Sequence, residues 1–273
     1  MTTDSASPTT PAERGQVSSA AAEVYDAFFV PALFGQFPER VLDHARVAAG
    51  ARVLDVGCGT GALARAARGR VTSSGAVVGV DPNEGMLAVA HGSDPSIEWR
   101  SAAAESLPFD GASFDHVLTQ FAAMFFTDRD AAVREMARVT AAGGTITIVT
   151  WAALPRTPGY HAMVALIADE LGADAADALR APFVLGDPDD VRQLLRPIGR
   201  DPRLDEICGT ARFASIADWV RTDVRGWTLA DMVDDDQEAT LVARAERELS
   251  HFVDPDGSVA FAAPAIVGTV RVG

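Results

Sequence analysis

The sequence predicts an α/β fold built on a doubly wound, mostly parallel sheet. Short apolar runs alternate with helical periodicity from Ala51 to Trp151, and the first run ends in a glycine-rich turn that opens a helix. A length of 273 residues suits one such domain with appended helices.

Ala21 to Val47 reads as helical, with Pro31 and Pro38 interrupting it. Arg52 to Val56 is a buried parallel strand between Gly50 and Gly57. Gly61 to Arg68 follows as a helix, and Ala76 to Val80 as the second strand. Asp81 stands before Pro82, which opens a helix running to about His91. Ile97 to Ser101 and Phe114 to Thr119 are the third and fourth strands. An amphipathic helix, Arg129 to Val139, leads to a β-branched fifth strand, Thr145 to Trp151. Beyond it come a helix through Tyr160 and Leu171, another capped by Asp187-Pro188, and helices at Ile216 to Arg225 and Asp234 to Phe252. Arg203 to Phe213 and Ser258 to Val272 supply strands six and seven. The expected organisation is therefore a Ser/Thr/Pro/Ala-rich disordered leader over 1–19, a helical lid over 20–47, a ligand-binding core over 48–151, and the remaining strands with substrate-capping helices over 152–273.

Composition removes several function classes. A net charge of −15 opposes nucleic acid and anionic membrane surfaces as partners. No run reaches the roughly 18–20 apolar residues of a membrane span, and the N-terminus lacks an apolar signal-peptide segment. Two cysteines form neither a disulfide framework nor a metal site, so a reducing cytoplasm is the expected location and no metal is expected. All 23 basic residues are arginine. Schiff-base, Walker A and Tyr-x-x-x-Lys chemistries all need a lysine amine and are excluded.

The most informative stretch is Val53-Leu54-Asp55-Val56-Gly57-Cys58-Gly59-Thr60-Gly61. Glycines at alternate positions let a tight turn lie against a ligand, and the following helix N-terminus offers free N–H groups. Gly57-x-Gly59-x-x-Ala62 also fits a loose dinucleotide fingerprint. Asp81, 20 positions beyond Gly61, can accept ribose hydroxyls in either case. Asp55 separates the two readings: it would repel a pyrophosphate but tolerates the cationic amino group of a methionine moiety.

These residues resemble motif I of the class I S-adenosylmethionine-dependent methyltransferases, the ubiquinone/menaquinone-biosynthesis-like group in particular. Val80-Asp81-Pro82-Asn83-Glu84-Gly85-Met86-Leu87 is similar to that family's acidic second motif. Ala104-Glu105-Ser106-Leu107-Pro108-Phe109 with Ser113-Phe114-Asp115 resembles its third, and Arg134 to Val139 leading to Gly143-Gly144 resembles the approach to the fifth strand. The resemblance covers about Ala51 to Trp151. It implies a Rossmann-like seven-stranded sheet with S-adenosylmethionine as cofactor. Gly57, Cys58, Gly59 and Gly61, with Asp55, would hold the methionine end, and Asp81 with Pro82 the ribose. Met86 would pack on the adenine, Ala104 and Glu105 would meet its edge, and Gln120 would lie near the methionine group. Where the family often reads the adenine amino group, this chain has Ala103.

The expected reaction is methyl transfer to oxygen, nitrogen or carbon of a largely apolar small molecule of secondary or quinone-type metabolism. Tyr25, Phe29, Phe34, Phe125, Trp151 and Tyr160 are the candidate acceptor-pocket residues, and His161 the candidate base or orienting group. Two rivals share the fold: a cyclase or rearrangement enzyme that does not consume the cofactor, and a non-catalytic binding subunit. A homodimer stays open as the assembly.

Overall fold

The computed structural model describes residues 19–273 apart from 227, 228, 230 and 231. The expected leader lies outside the described residues up to position 18, and Ser19 already belongs to a helix.

The chain enters through α1 (Ser19–Val24), a π-helical stretch (Tyr25–Phe34) and α2 (Pro38–Ala45). Pro31 does not break this segment. The wider π-helical turn absorbs the missing donor, and Gly35 N–H closes the stretch on the Val30 carbonyl at 2.7 Å. There follow β1 (Arg52–Val56), α3 (Ala62–Val71), β2 (Ala76–Asp81), α4 (Glu84–Ser93), β3 (Glu98–Ser101), β4 (Phe114–Gln120), α5 (Arg129–Val139) and β5 (Thr140–Trp151). Helix α4 starts later than expected. Asp81 completes β2, and Asn83 caps the helix by accepting from the Gly85 and Met86 amides at 2.9 and 3.1 Å.

The second half contributes α6 (Pro158–Leu171), α7 (Ala173–Arg180), α8 (Pro188–Leu195), β6 (Arg203–Ile207), β7 (Thr210–Phe213), α9 (Ile216–Arg225), α10 (Asp235–Glu248), β8 (Val259–Ala262) and β9 (Ala265–Arg271). Seven strands form the main sheet in the order β3-β2-β1-β4-β5-β9-β6, with β9 antiparallel to both its neighbours. The order reverses between β1 and β4, and such a switch point leaves a crevice at the carboxyl ends of the strands.

Each of the two C-terminal strands expected from the sequence divides in two. Near Gly209 and Pro264 the chain leaves the main sheet, and β7 and β8 pair in a small antiparallel sheet. A Cβ on Gly209 would lie 2.3 Å from the Ala263 carbonyl oxygen, and Pro264 has no N–H to offer a ladder. Among the described residues, no helix is long and apolar enough to cross a membrane.

Candidate functional site

A cavity of about 220 Å³ opens at the carboxyl ends of β1, β2 and β4, where the strand order reverses. Its floor is the loop between β1 and α3. Gly57 and Gly59 adopt left-handed φ values of +68° and +53°. A Cβ on Gly57 would strike the Ala122 Cβ at 2.4 Å, whereas one on Gly59 would meet nothing and point into space a ligand can use. Cys58 and Thr60 also line the cavity. Gly61 corrects the sequence expectation. It does not line the cavity, and its φ of +87° and bare Cα serve the Trp99 ring, which a Cβ would approach to 2.4 Å.

Two carboxylates define the electrostatics. Asp81 Oδ2 accepts from Gly59 N–H and Oδ1 from Asn83 N–H, both at 2.9 Å. Burial raises its pKa, and those two amides oppose the rise. Asp55, 1% exposed, has neither oxygen within hydrogen-bond geometry of a partner, although the nearby Ala64 amide favours its charged form. Burial pushes its pKa up to about 7, with the Ala64 amide opposing the rise and the charge of Asp81 adding to it. The Cys58 thiol is raised well above its ordinary range, first by burial and then by these two carboxylates, so it stays protonated and is no nucleophile. Gln120 Oε1 and Thr60 Oγ1 are likewise buried without partners.

Pro82, Met86, Ala104, Glu105 and Gln120 line the same cavity, as do Asn83 and Ala103. The Glu105 carboxylate is engaged with the protein, accepting from the Thr127 and Asp128 amides at 2.7 and 3.1 Å. It thereby fixes the loop before α5.

The aromatic set divides between two chambers. Tyr25, Phe34 and Phe125 line the larger cavity with Phe121 and Phe126. Phe29, Trp151 and Tyr160 do not reach it. They enclose a second chamber of about 30 Å³, together with Phe34, Phe183 and Asp223. His161 lines neither chamber. It occupies the exposed face of α6 while Tyr160, Met163 and Val164 take the buried one, so the structure does not bring this residue to the site. His116, within β4, has its Nδ1 2.8 Å from Thr145 Oγ1 and is a partnered, half-buried histidine.

Sequence reasoning missed Phe121, Ala122 and Asn83. Asn83 follows a strand and precedes Glu-Gly-Met, a legible cap signal. Phe121 carries no such signal. It adopts φ +56°, rare for a bulky residue, and its ring stacks on Trp151 at 3.8 Å between centroids.

Residues 54–148 match a family model described as a methyltransferase domain. A ubiquinone/menaquinone biosynthesis C-methyltransferase UbiE from Hahella chejuensis is 42% identical over 114 residues, which are 40% of this chain and 46% of that protein. The match thus spans about half the length of that curated relative. Among solved structures, the YcgJ protein of Bacillus subtilis superposes with a TM-score of 0.57 at 21% identity, covering 87% of this chain and 99% of that one. Phosphoethanolamine N-methyltransferase 2 of Haemonchus contortus, solved with S-adenosylhomocysteine, gives a TM-score of 0.61 at 18% identity over 96% of this chain and 59% of that one. At these identities the structural likeness establishes a common fold.

Proposed function

We propose, from the premise that residues 54–148 are a class I methyltransferase domain of the UbiE-like group, that this chain methylates a largely apolar small molecule with S-adenosylmethionine as donor. The observation that carries the reading is the Asp55 carboxylate: buried, unpartnered, and lining the cavity beside the unpartnered Gln120 Oε1. Burying such acceptors without donors costs several kcal/mol, roughly, and a ligand ammonium removes that cost. A pyrophosphate would instead meet a second negative charge.

The rest of the cavity fits the same ligand. Gly59 leaves room for close backbone approach. The Asp81 carboxylate, fixed by two amides, retains lone pairs for a ribose diol. Met86 and the backbone of Ala104 and Glu105 offer apolar and edge contacts for an adenine, with Ala103 providing no side-chain donor or acceptor. When bound, S-adenosylmethionine supplies an already activated methyl group. What remains for the protein is alignment and exclusion of water. Tyr25, Phe34, Phe121 and Phe125 form an apolar rim suited to both. With His161 outside the site, the acceptor in this reading is an activated carbon or a hydroxyl that needs little help in losing its proton. The Hahella relative, a C-methyltransferase of ubiquinone/menaquinone biosynthesis, supports carbon as the first choice.

The test is isotopic. The purified chain is incubated with deuteromethyl S-adenosylmethionine and a metabolite extract, and products are read by mass spectrometry. A labelled product with matching S-adenosylhomocysteine is expected. A metabolite that changes without gaining label would overturn methyl transfer in favour of a rearrangement.

A further inference from the structure

Helix α9 carries a carboxyl group that the cofactor cavity does not use. Asp223 is 1% exposed and lines the second chamber. Its Oδ1 accepts from the Tyr160 hydroxyl at 3.3 Å, and its Oδ2 has no hydrogen-bond partner. The Trp219 indole N–H, one turn earlier on α9, pulls on the same carboxyl electrostatically but completes no hydrogen bond. The other walls are apolar or aromatic, among them Phe29, Leu33, Trp151 and Phe183, and no arginine is among them.

A carboxyl buried without a cation is held in its neutral form; burial raises the Asp223 pKa well above the ordinary carboxylate range. With Oδ1 receiving the Tyr160 proton, Oδ2 is the oxygen left to carry the proton of a neutral carboxyl, in a residue that lines a chamber with no charged group among its other walls. A tyrosine beside a protonated carboxylic acid in an apolar site is an arrangement that binds a carbonyl or enol oxygen.

We propose that Asp223 and Tyr160 form a socket for an uncharged oxygen, as in a carbonyl, enol or phenol, on the apolar methyl acceptor. The inference rests on the methyltransferase reading above and narrows its acceptor class. The chamber's 30 Å³ holds one oxygen-bearing group rather than a ring. Phe34 is a wall of both chambers, so its displacement joins them and lets a ring at the aromatic end of the larger cavity present its oxygen to Asp223. The competing occupant is an ammonium group, which aromatic rings and an ionised Asp223 could also hold.

Fluorine NMR titrations of the full chain, saturated with S-adenosylhomocysteine, separate the two. The probes are 4-fluorophenol, 4-fluorotoluene and 4-fluorobenzylamine. The phenol should bind at least about five-fold more tightly than the toluene, the effect of one net hydrogen bond. Asp223→Leu should abolish that preference, and Asp223→Asn, which keeps a neutral donor, should retain it. Thermal melts verify that both variants fold. Equal affinity for phenol and toluene, no saturable phenol binding, or tightest binding of the amine with its loss in Asp223→Asn would each overturn the socket. Calorimetry of S-adenosylhomocysteine on the unmodified chain reports separately on the cofactor reading: its failure to bind sinks that reading, whatever the probes do.

Discussion

Gly59 donates its amide to Asp81 Oδ2 at 2.9 Å, tying the loop after β1 to the end of β2. Asp81 therefore has two jobs in the proposed site, holding the loop and meeting the ribose. Asp81→Ala should weaken S-adenosylhomocysteine binding by about 1–3 kcal/mol through the lost charge-assisted hydrogen bonds. The melting temperature should also fall, because the Gly59 and Asn83 amides lose their acceptor. Calorimetric titration and a thermal melt read the two effects separately. Unchanged affinity removes Asp81 from the ligand site, and an unchanged melt removes it as the tether.

Two of the loop glycines, Gly59 and Gly61, should respond differently to a methyl group. Gly61→Ala forces a left-handed φ of +87° on alanine and drives its Cβ into the Trp99 ring. Its cost should fall on stability, about 1–3 kcal/mol by denaturant titration. Gly59→Ala meets no protein atom within 4 Å, so only the backbone conformation is penalised, by about 1 kcal/mol. There the larger loss should be in S-adenosylhomocysteine affinity, since the methyl group occupies ligand space. Equal losses of affinity in both variants would contradict this division of labour.

That division marks where the sequence stops being legible. The glycine spacing and Asp55 locate the loop, and the strand–helix alternation locates the sheet, because both are local patterns enforced by backbone sterics and burial. Which glycine faces a ligand and which faces Trp99 depends on β3, nearly 40 residues away in sequence. The aromatic candidates were legible as a set, yet their partition depends on how the π-helical stretch lays Phe34 between two chambers. Phe121 is invisible in the sequence because neither its left-handed φ nor its stack on Trp151, 30 residues further along the chain, leaves a local pattern. Asp223 sits in an amphipathic helix rich in charge, where only the fold shows that it points inward.

His161 offers a test of the structure against the sequence. Its place at the start of the helix after β5 suggested a base, and its exposed face puts it outside both chambers. His161→Ala should change neither S-adenosylhomocysteine affinity nor labelled-methyl turnover by more than about two-fold, as for an ordinary surface substitution. A large loss of turnover with binding intact would return it to the reaction.

Asp55 should make protein stability and ligand affinity move in opposite directions with pH. Its pKa is about 7 in the folded chain, against roughly 3.9 when unfolded. Between those values the folded state binds more protons than the unfolded one, so stability declines as pH rises from about 4 to 7. The full loss corresponds to about three pH units, on the order of 4 kcal/mol. Asp55→Asn removes this titration. The variant's advantage over the parent should be small near pH 4 and grow to its full size near pH 8, as read by thermal melts at both. Binding a ligand ammonium requires the ionised carboxylate, so S-adenosylhomocysteine affinity in the parent should fall as pH drops below about 7, and the variant should lose that dependence. Neither Asp55 oxygen has a partner within hydrogen-bond geometry in the free protein. If affinity and stability instead rise and fall together, the carboxylate is a structural group and the ligand's amino end lies elsewhere.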